Sequence, residues 1–189
     1  MWERVFTSLV PGFAPDAAAL DRAAAELGFP LPDSYRDFCR TCGVGVAGGH
    51  IRIAVPAPFE ASDLITQAGV IAHSVGAAVR LLEDAAEPHR FDVEDGDPGI
   101  VERACFFGHA EDGSFLFWDV SGSGAEYDIW LLAPDLETVR FGGETLFDFF
   151  SQVTGPTAAL ILGPGMEPLP ARFEGVSAAI LGRSGQAES

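Results

Sequence analysis

The stretch FFGHAEDGSFLFWDV, residues 106–120, decides the fold, because it predicts two β-strands joined by a tight turn. The dipeptide Asp112-Gly113 is a strong signal for the turn of a β-hairpin. Along the second strand, residues 115–118 place two Phe side chains on one side and a Leu and a Trp on the other. Both sides are apolar, which predicts a central strand that helices cover on at least one side.

The segments around this hairpin predict the other elements of the fold. Short runs rich in aromatic and β-branched residues predict strands over residues 50–55, 104–108, 114–120, 127–132 and 138–141. Apolar residues at helical spacing predict helices over residues 14–27, about 32–42, 60–86 and 144–153. The sequence thus predicts an α+β fold, with a mostly antiparallel sheet of about four to six short strands. The sheet would pack against the N-terminal helices, a central helix and a C-terminal helix.

Two Gly-rich segments interrupt these elements. The run GVGVAGG, residues 43–49, is predicted to be a flexible entry into the first strand. From residue 155 onward, ten of 35 residues are Gly or Pro, against 35 of 189 in the whole chain. We therefore predict a single domain over residues 1–153 and a Gly/Pro-rich C-terminal extension over 154–189, packed in places.

The charge of the chain is strongly negative. It contains 11 Arg, no Lys and 28 acidic residues, for a formal net charge of −17. Such a chain repels phosphate and anionic lipid, so we expect neither nucleic acid nor a membrane as a partner. Its electrostatic complement is a basic protein.

The excess of acidic residues is concentrated in one part of the sequence. Residues 83–112 hold ten acidic residues and two Arg, a net charge of −8, in a predicted loop and hairpin tip. Side chains at such places are free to meet a partner. The candidate partner-binding residues are Asp92, Glu94, Asp95, Asp97, Glu111 and Asp112.

Three cysteines, Cys39, Cys42 and Cys105, are too few for a disulfide framework and fit a reducing cytosol. The first two continue the apolar stripe of the second helix near its C-terminal end, where a thiolate is disfavoured. Core packing is therefore their predicted role. A zinc site made by the three thiols and His109 is the alternative, although no second ligand pair has matching spacing. We expect no metal and no cofactor.

The patterns that could indicate catalysis are incomplete. Residues 43–48 match G-x-G-x-x-G, but a helix precedes them and a strand follows, which reverses the dinucleotide-binding order. A hydrolase using Asp119, Asp128 or His109 is the catalytic alternative, and it requires these side chains to share a pocket. We expect no enzymatic activity.

The sequence also bears on the compartment. No apolar run of signal-peptide length precedes Pro11, and no stretch has the roughly 18 continuous apolar residues that span a bilayer. We therefore expect a cytoplasmic protein.

Several short motifs occur in a fixed order along residues 14–152. They are ELG at 26–28, Leu31-Pro32, Tyr35, Phe38, Gly43, the aromatic hairpin 107–118, residues 127–132 and LFDFF at 146–150. In this order they resemble the SUKH superfamily, which includes bacterial toxin-immunity proteins and a fungal cell-wall-synthesis regulator.

The resemblance implies a non-enzymatic protein that neutralises a cognate bacterial toxin, often a nuclease, by binding it in the cytoplasm. The charge agrees with this, because a nuclease presents a basic cleft to phosphate and an acidic inhibitor associates with it quickly. The alternative is a regulatory adaptor or scaffold module that binds a cellular protein through an apolar groove. We expect a monomer or a weak homodimer, paired through exposed edge strands.

Overall fold

The structure is a computed structural model that describes residues 1–82, 88–94, 96–122 and 124–184. One of the six candidate acidic residues, Asp95, lies outside these ranges. The last part of the predicted helix 60–86 and the end of the predicted C-terminal extension also lie outside them.

The described residues form six α-helices, two short 3-10 helices and nine strands. The α-helices are α1 (Ala17–Leu27), α2 (Asp33–Thr41), α3 (Leu64–Leu82), α4 (Leu146–Val153), α5 (Ala158–Leu162) and α6 (Ala178–Ser184). Short 3-10 helices span Trp2–Arg4 and Pro98–Arg103. The strands are β1 (Ser8–Val10), β2 (Gly45–Ala47), β3 (Ile51–Ile53), β4 (Asp92–Val93), β5 (Ala104–Ala110), β6 (Phe115–Asp119), β7 (Ile129–Leu132), β8 (Thr138–Gly143) and β9 (Arg172–Gly175).

All of these strands belong to one mixed sheet, in the order β1-β9-β2-β3-β5-β6-β7-β8-β4. The pairs β1/β9 and β4/β8 are parallel, and the other neighbours are antiparallel. The α+β class is confirmed. The predicted number of four to six strands is wrong, because the described residues form nine. The missed strands, β1, β2, β4 and β9, have only two to four residues, too few to show an alternating pattern.

The aromatic hairpin forms the middle of the sheet as β5 and β6, with Cys105 opposite Trp118 and Phe106 opposite Phe117. Leu116 and Trp118 enter the larger core, which α1, α2 and α4 cover. Phe117 enters a smaller core on the other face, together with residues of α3. The predicted division of the strand into two apolar sides is confirmed.

Local capping fixes the ends of the helices over the larger core. The carboxylate of Asp16 accepts a hydrogen bond from the backbone N–H of Ala19 at 2.7 Å and begins α1. Gly28, with φ of +81°, ends that helix in the left-handed conformation that favours glycine. Thr145 caps α4 through the N–H of Asp148 at 3.0 Å. The helices predicted over 14–27 and 144–153 therefore end where the sequence predicted and begin two or three residues later, after their caps.

α3 crosses the smaller core, where Ile71 and Val75 are buried. By length and composition alone, α3 could cross a membrane. It is the one helix in the described ranges that meets this criterion. Polar residues interrupt its apolar run, so the sequence criterion of continuous apolar residues missed it. Only 17% of its apolar window is buried, and Val70 and Leu81 are exposed.

The segment predicted to be a C-terminal extension supplies a strand inside the sheet. β9 pairs in parallel with β1 and antiparallel with β2, so it joins the N-terminal strand to the rest of the sheet. Its Phe173 is 1% exposed and packs against Phe6 and Phe38, with ring centroids 5.7 Å apart in both pairs.

The Gly-rich run 43–49 contains β2, so its prediction as a flexible entry is wrong for residues 45–47. An ideal Cβ at Gly45 would lie 2.5 Å from the carbonyl oxygen of Glu174 and 2.6 Å from the ring of Phe173. Glycine is therefore needed here for the close approach of β2 and β9, not for flexibility.

Candidate partner-binding surface

Two candidate residues lie at one edge of the sheet. Asp92 belongs to β4, the outermost strand, opposite Thr138 of β8, and Glu94 follows directly after this strand. Both acidic residues are exposed. Among the described residues, neither forms a salt bridge. Their charges are thus available to a partner.

Asp97 is exposed but engaged within the chain. Its carboxylate accepts hydrogen bonds from the N–H of Gly99 at 2.9 Å and from the guanidinium of Arg103 at 2.8 Å. The hydrogen bond from Arg103 lowers the pKa of Asp97 below its ordinary value. Arg103 also donates two hydrogen bonds of 3.3 Å to Asp119. One cation thus compensates part of the charge of two carboxylates.

Glu111 and Asp112 form the tip of the β5–β6 hairpin and are exposed. Glu111 is paired with Arg52 of β3, whose guanidinium lies 3.0 Å from the carboxylate. Asp112 accepts the N–H of Ser114 at 2.9 Å and lies 3.8 Å from the Nε2 atom of His50. The structure brings these two acidic residues together.

The candidate acidic residues do not form one cluster. Arg103, the partner of Asp97, directly precedes β5, and Glu111 directly follows it. A seven-residue strand extends about 20 Å, so the carboxylates of Asp97 and Glu111 lie near opposite ends of β5. Counting charges along the chain placed Asp97 and Glu111 in one group, but the fold separates them.

Asp119 and Asp128, which the sequence suggested only as catalytic candidates, lie with Glu144 at the end of the sheet where Arg103 binds Asp97. The backbone N–H of Asp119 donates to the carbonyl of Asp128 at 3.1 Å, which extends the β6–β7 pairing by one residue. Burial raises the pKa of Asp128, and the negative charges of Glu144 and Asp119 raise it further. Like charges therefore crowd together here without full compensation.

Substitution Asp128→Asn should stabilise the protein at neutral pH. A carboxyl whose pKa is raised on folding stabilises the folded state below its ordinary pKa of 3.8 and loses this contribution as the pH rises. The gain should therefore be absent in acid and should grow toward neutrality, to less than about 1 kcal/mol. Urea unfolding at a series of pH values measures it.

The matched control is Asp135→Asn, for which the opposite sign is expected. Burial raises the pKa of Asp135, but hydrogen bonds from Thr138 and Glu137 outweigh it and lower the pKa overall. The carboxylate thus contributes stability that is present at neutral pH and lost in acid. Equal effects of the two substitutions at pH 7 would contradict the assignment of crowding to Asp128.

A cavity of about 870 Å³ lies between α3 and the β2–β3–β5 part of the sheet. Apolar residues such as Ile53, Phe59 and Leu181 form much of its lining, and Arg52 and His109 are the basic groups in it. Burial lowers the pKa of His109, and the nearby guanidinium lowers it further, so the imidazole is neutral at pH 7. The cavity has the size of a ligand or peptide groove.

The cysteines lie in the larger core. All three are free and buried, and burial raises the thiol pKa of Cys42 and of Cys105 to about 12. Burial raises the thiol pKa of Cys39 still further. In the ranges that the structure describes, no group of three or more His, Cys, Asp or Glu could hold a metal ion. The thiols fit core packing, the role that the sequence favoured.

The residues of the catalytic alternative are separated. Asp119 and Asp128 are neighbours at one end of β6 and β7, whereas His109 lines the cavity and pairs with Phe115 at the other end of β6. β6 has five residues, so about 13 Å separates the two ends. The structure does not bring the three side chains into one pocket.

These features define a class of protein: an α+β domain with an acidic surface and an apolar groove, suited to binding another macromolecule. The model of the SMI1/KNR4 family (SUKH-1) matches residues 14–152, and the chain belongs to this family. The resemblance to the SUKH superfamily is thereby confirmed. No curated protein and no solved structure matches the chain. Membership gives the chain a binding role of the immunity or regulatory type, in a family that is generally non-catalytic.

Proposed function

We propose that the protein is an immunity protein that neutralises a cognate bacterial toxin, with a nuclease as the foremost candidate, by direct binding in the cytoplasm. The observation that carries the proposal is family membership over residues 14–152 in a chain of net charge −17. A nuclease must bind phosphate and therefore presents a basic surface, which an acidic protein covers. The proposed binder is a monomer or a weak homodimer and catalyses no reaction.

The proposed contacts are the six acidic residues Asp92, Glu94, Asp95, Asp97, Glu111 and Asp112. Those that the structure describes are all exposed, which supports the proposal. Their separation along the sheet means that one partner must either span it or engage only one group. Because Arg103 and Arg52 pair with Asp97 and Glu111, the largest contributions are expected from Asp92, Glu94 and Asp112.

Neutralising these three carboxylates should slow association with the toxin. The partner to test is the catalytically inactive toxin domain encoded by a neighbouring gene. For Asp92→Asn, Glu94→Gln and Asp112→Asn combined, we expect the association rate constant at low salt to fall about tenfold. The dissociation rate should change less. Stopped-flow or surface plasmon resonance at several salt concentrations measures both rates.

The control carries the same charge change elsewhere. Glu3→Gln, Glu26→Gln and Glu167→Gln remove three exposed carboxylates from other parts of the surface. An equal loss of rate in both triple variants would show that net charge acts without a defined surface. An association rate that is flat between low and physiological salt would reject the electrostatic mechanism.

The 870 Å³ cavity favours the second candidate, a regulatory adaptor that binds a cellular protein through an apolar groove. In that case the triple acidic variant would bind normally, and Leu181→Glu, which places a charge in the cavity lining, would abolish binding. The same two variants thus discriminate between the two functions.

A further inference from the structure

Phe141 is a large aromatic side chain that the fold leaves exposed. It lies on β8 and is 44% exposed, although most of the large apolar residues of the sheet are buried. Its ring contacts Trp130 of β7 edge to face, with centroids 5.2 Å apart and an angle of 69°. Trp130 is only 9% exposed and gives Phe141 a rigid support. Exposed aromatic residues on rigid elements are typical anchors of protein interfaces.

Two carboxylates lie on the same part of the sheet as this aromatic pair. Trp130 is opposite Phe141 and, after a register shift, Ile129 is opposite Gly143. Asp128 and Glu144 follow directly beyond this last pair. The alternation of the strand places Asp128 on the side of Trp130. The crowding of Asp128 with Glu144 shows in its raised pKa. The exposed ring is therefore flanked by negative charge.

No cation within the described residues compensates these two carboxylates. No salt bridge there involves Asp128 or Glu144, and the nearby Arg103 is already bound to Asp97 and Asp119. A folded chain gains nothing in stability from uncompensated like charges beside an exposed ring. A positively charged group of a partner would offset the repulsion between the carboxylates and could also cover the exposed ring.

We propose that Phe141, Trp130, Asp128 and Glu144, named here the Phe141 patch, bind an arginine side chain of the basic partner. The guanidinium would lie over the exposed ring of Phe141 and donate hydrogen bonds to the carboxylates of Asp128 and Glu144. This inference rests on the proposed function and names the partner's chemistry. It also adds an anchor at the Asp97 end of the sheet to the contacts proposed at β4 and at the hairpin tip.

Arginine fits the Phe141 patch better than lysine does. Its planar guanidinium stacks on aromatic rings and presents several donors in a fixed fork, which two neighbouring carboxylates can accept. It is also less strongly hydrated than an ammonium group, so its desolvation against an aromatic ring costs less. A second copy of this chain is a poor occupant, because two chains of net charge −17 repel each other.

The test measures binding of the inactive toxin domain to Phe141→Ala, Phe141→Leu and the pair Asp128→Asn with Glu144→Gln. We expect Phe141→Ala to weaken affinity at least tenfold, mainly through faster dissociation. Phe141→Leu should fall between it and the unmodified chain, because leucine keeps apolar area but has no aromatic face. The charge variant should slow association and reduce its salt dependence.

The matched control is Val10→Ala, an exposed apolar residue on β1, 57% exposed. β1 and β8 are seven strand positions apart, about 34 Å across the sheet. Affinity of Phe141→Ala within twofold of the unmodified chain would overturn the inference while leaving the proposed function intact. An equal loss in Val10→Ala would overturn it too, because the effect would not be local.

A second arm uses short peptides and does not depend on the toxin. Ac-Gly-Arg-Gly-NH2 and its Lys and Glu counterparts are titrated into the isotope-labelled chain, and amide chemical shifts are followed. We expect the arginine peptide to give the largest shifts, localised at Phe141 and Glu144 and lost in Phe141→Ala. Equal shifts with the lysine peptide would reject arginine selectivity. Failure of the unmodified chain to bind any basic toxin would instead reject the proposed function.

Discussion

Truncation of the chain after Pro170 should abolish cooperative unfolding, although all residues that match the family lie before the cut. The truncation removes β9, which hydrogen-bonds to β1 on one side and β2 on the other. It also removes Phe173, a buried ring packed against Phe6 and Phe38. Deleting a buried phenylalanine alone costs about 3–5 kcal/mol. Since a domain is stable by only about 5–15 kcal/mol, the further loss of two strand pairings removes most of what remains.

A milder truncation serves as the control. Cutting after Ser177 keeps β9 and the hydrogen bond from the N–H of Val176 to the carbonyl of Val44, and it removes α6. Most of the described side chains of α6 are exposed, with Leu181 half-buried, so we expect a loss of about 2 kcal/mol or less. Near-ultraviolet circular dichroism during urea unfolding compares the two. A sharp transition with an unchanged midpoint after the longer truncation would show that residues 1–170 fold independently.

Substitution Trp118→Ala should destabilise the protein by about 4 kcal/mol. Trp118 is fully buried in the central strand β6 and stacks on Phe107, with ring centroids 4.0 Å apart and an angle of 8°. The ring of Tyr35 in α2 packs edge to face with Trp118, with ring centroids 4.9 Å apart. The Tyr35 hydroxyl donates a hydrogen bond of 2.7 Å to the carbonyl of Ala54. Removing the indole leaves a cavity at the point where α2, β5 and β6 meet, and these rings cannot close it without moving strands.

Two further variants calibrate this loss. Trp118→Phe keeps the stacking on Phe107 and should cost less than half as much. Phe141→Ala removes a half-exposed ring and should cost about 1 kcal/mol, which also keeps that variant folded for binding measurements. Chemical denaturation gives the free energies of unfolding. A loss below about 2 kcal/mol for Trp118→Ala would mean that the aromatic stack contributes little to the core.

The elements that the sequence predicted well are those whose signals are local. Asp16 and Gly28 mark the two ends of α1, and Thr145 marks the start of α4, because each cap acts within three or four residues of its helix. The strands β5 to β8 were also predicted, within one or two residues at most of their ends. Their aromatic alternation is strong enough to be visible without knowledge of their partners.

The position of β9 could not be predicted, because it depends on contacts more than a hundred residues apart along the chain. Only one residue of β9, Phe173, is large and apolar, and nothing in the segment indicates that it lies between β1 and β2. The nearby Gly45 was attributed to flexibility for the same reason. Its requirement for close approach is apparent only when Glu174 is in place.

The same limit applies to the candidate surface. Charge counting identified an acidic block, but it could not show that Arg103 and Arg52 compensate Asp97 and Glu111 across the fold. Nor could it bring Asp128 and Glu144 together, because their proximity follows from the register of β7 and β8. Composition gives the sign of the charge on a surface, whereas the positions of the individual charges depend on which strands pair.

The parallel pairing of β1 with β9 has a mechanical consequence. Ser8 begins β1 beside Arg172, and Gly175 ends β9 beyond Val10, so a pull on Ser8 and Gly175 in opposite directions acts along both strands. The ladder would then be loaded in shear, with its hydrogen bonds sharing the force, instead of opening one at a time as a zipper does. The domain should resist stretching through these strands more strongly than through the β5–β6 hairpin, whose two strands would peel apart from their open ends.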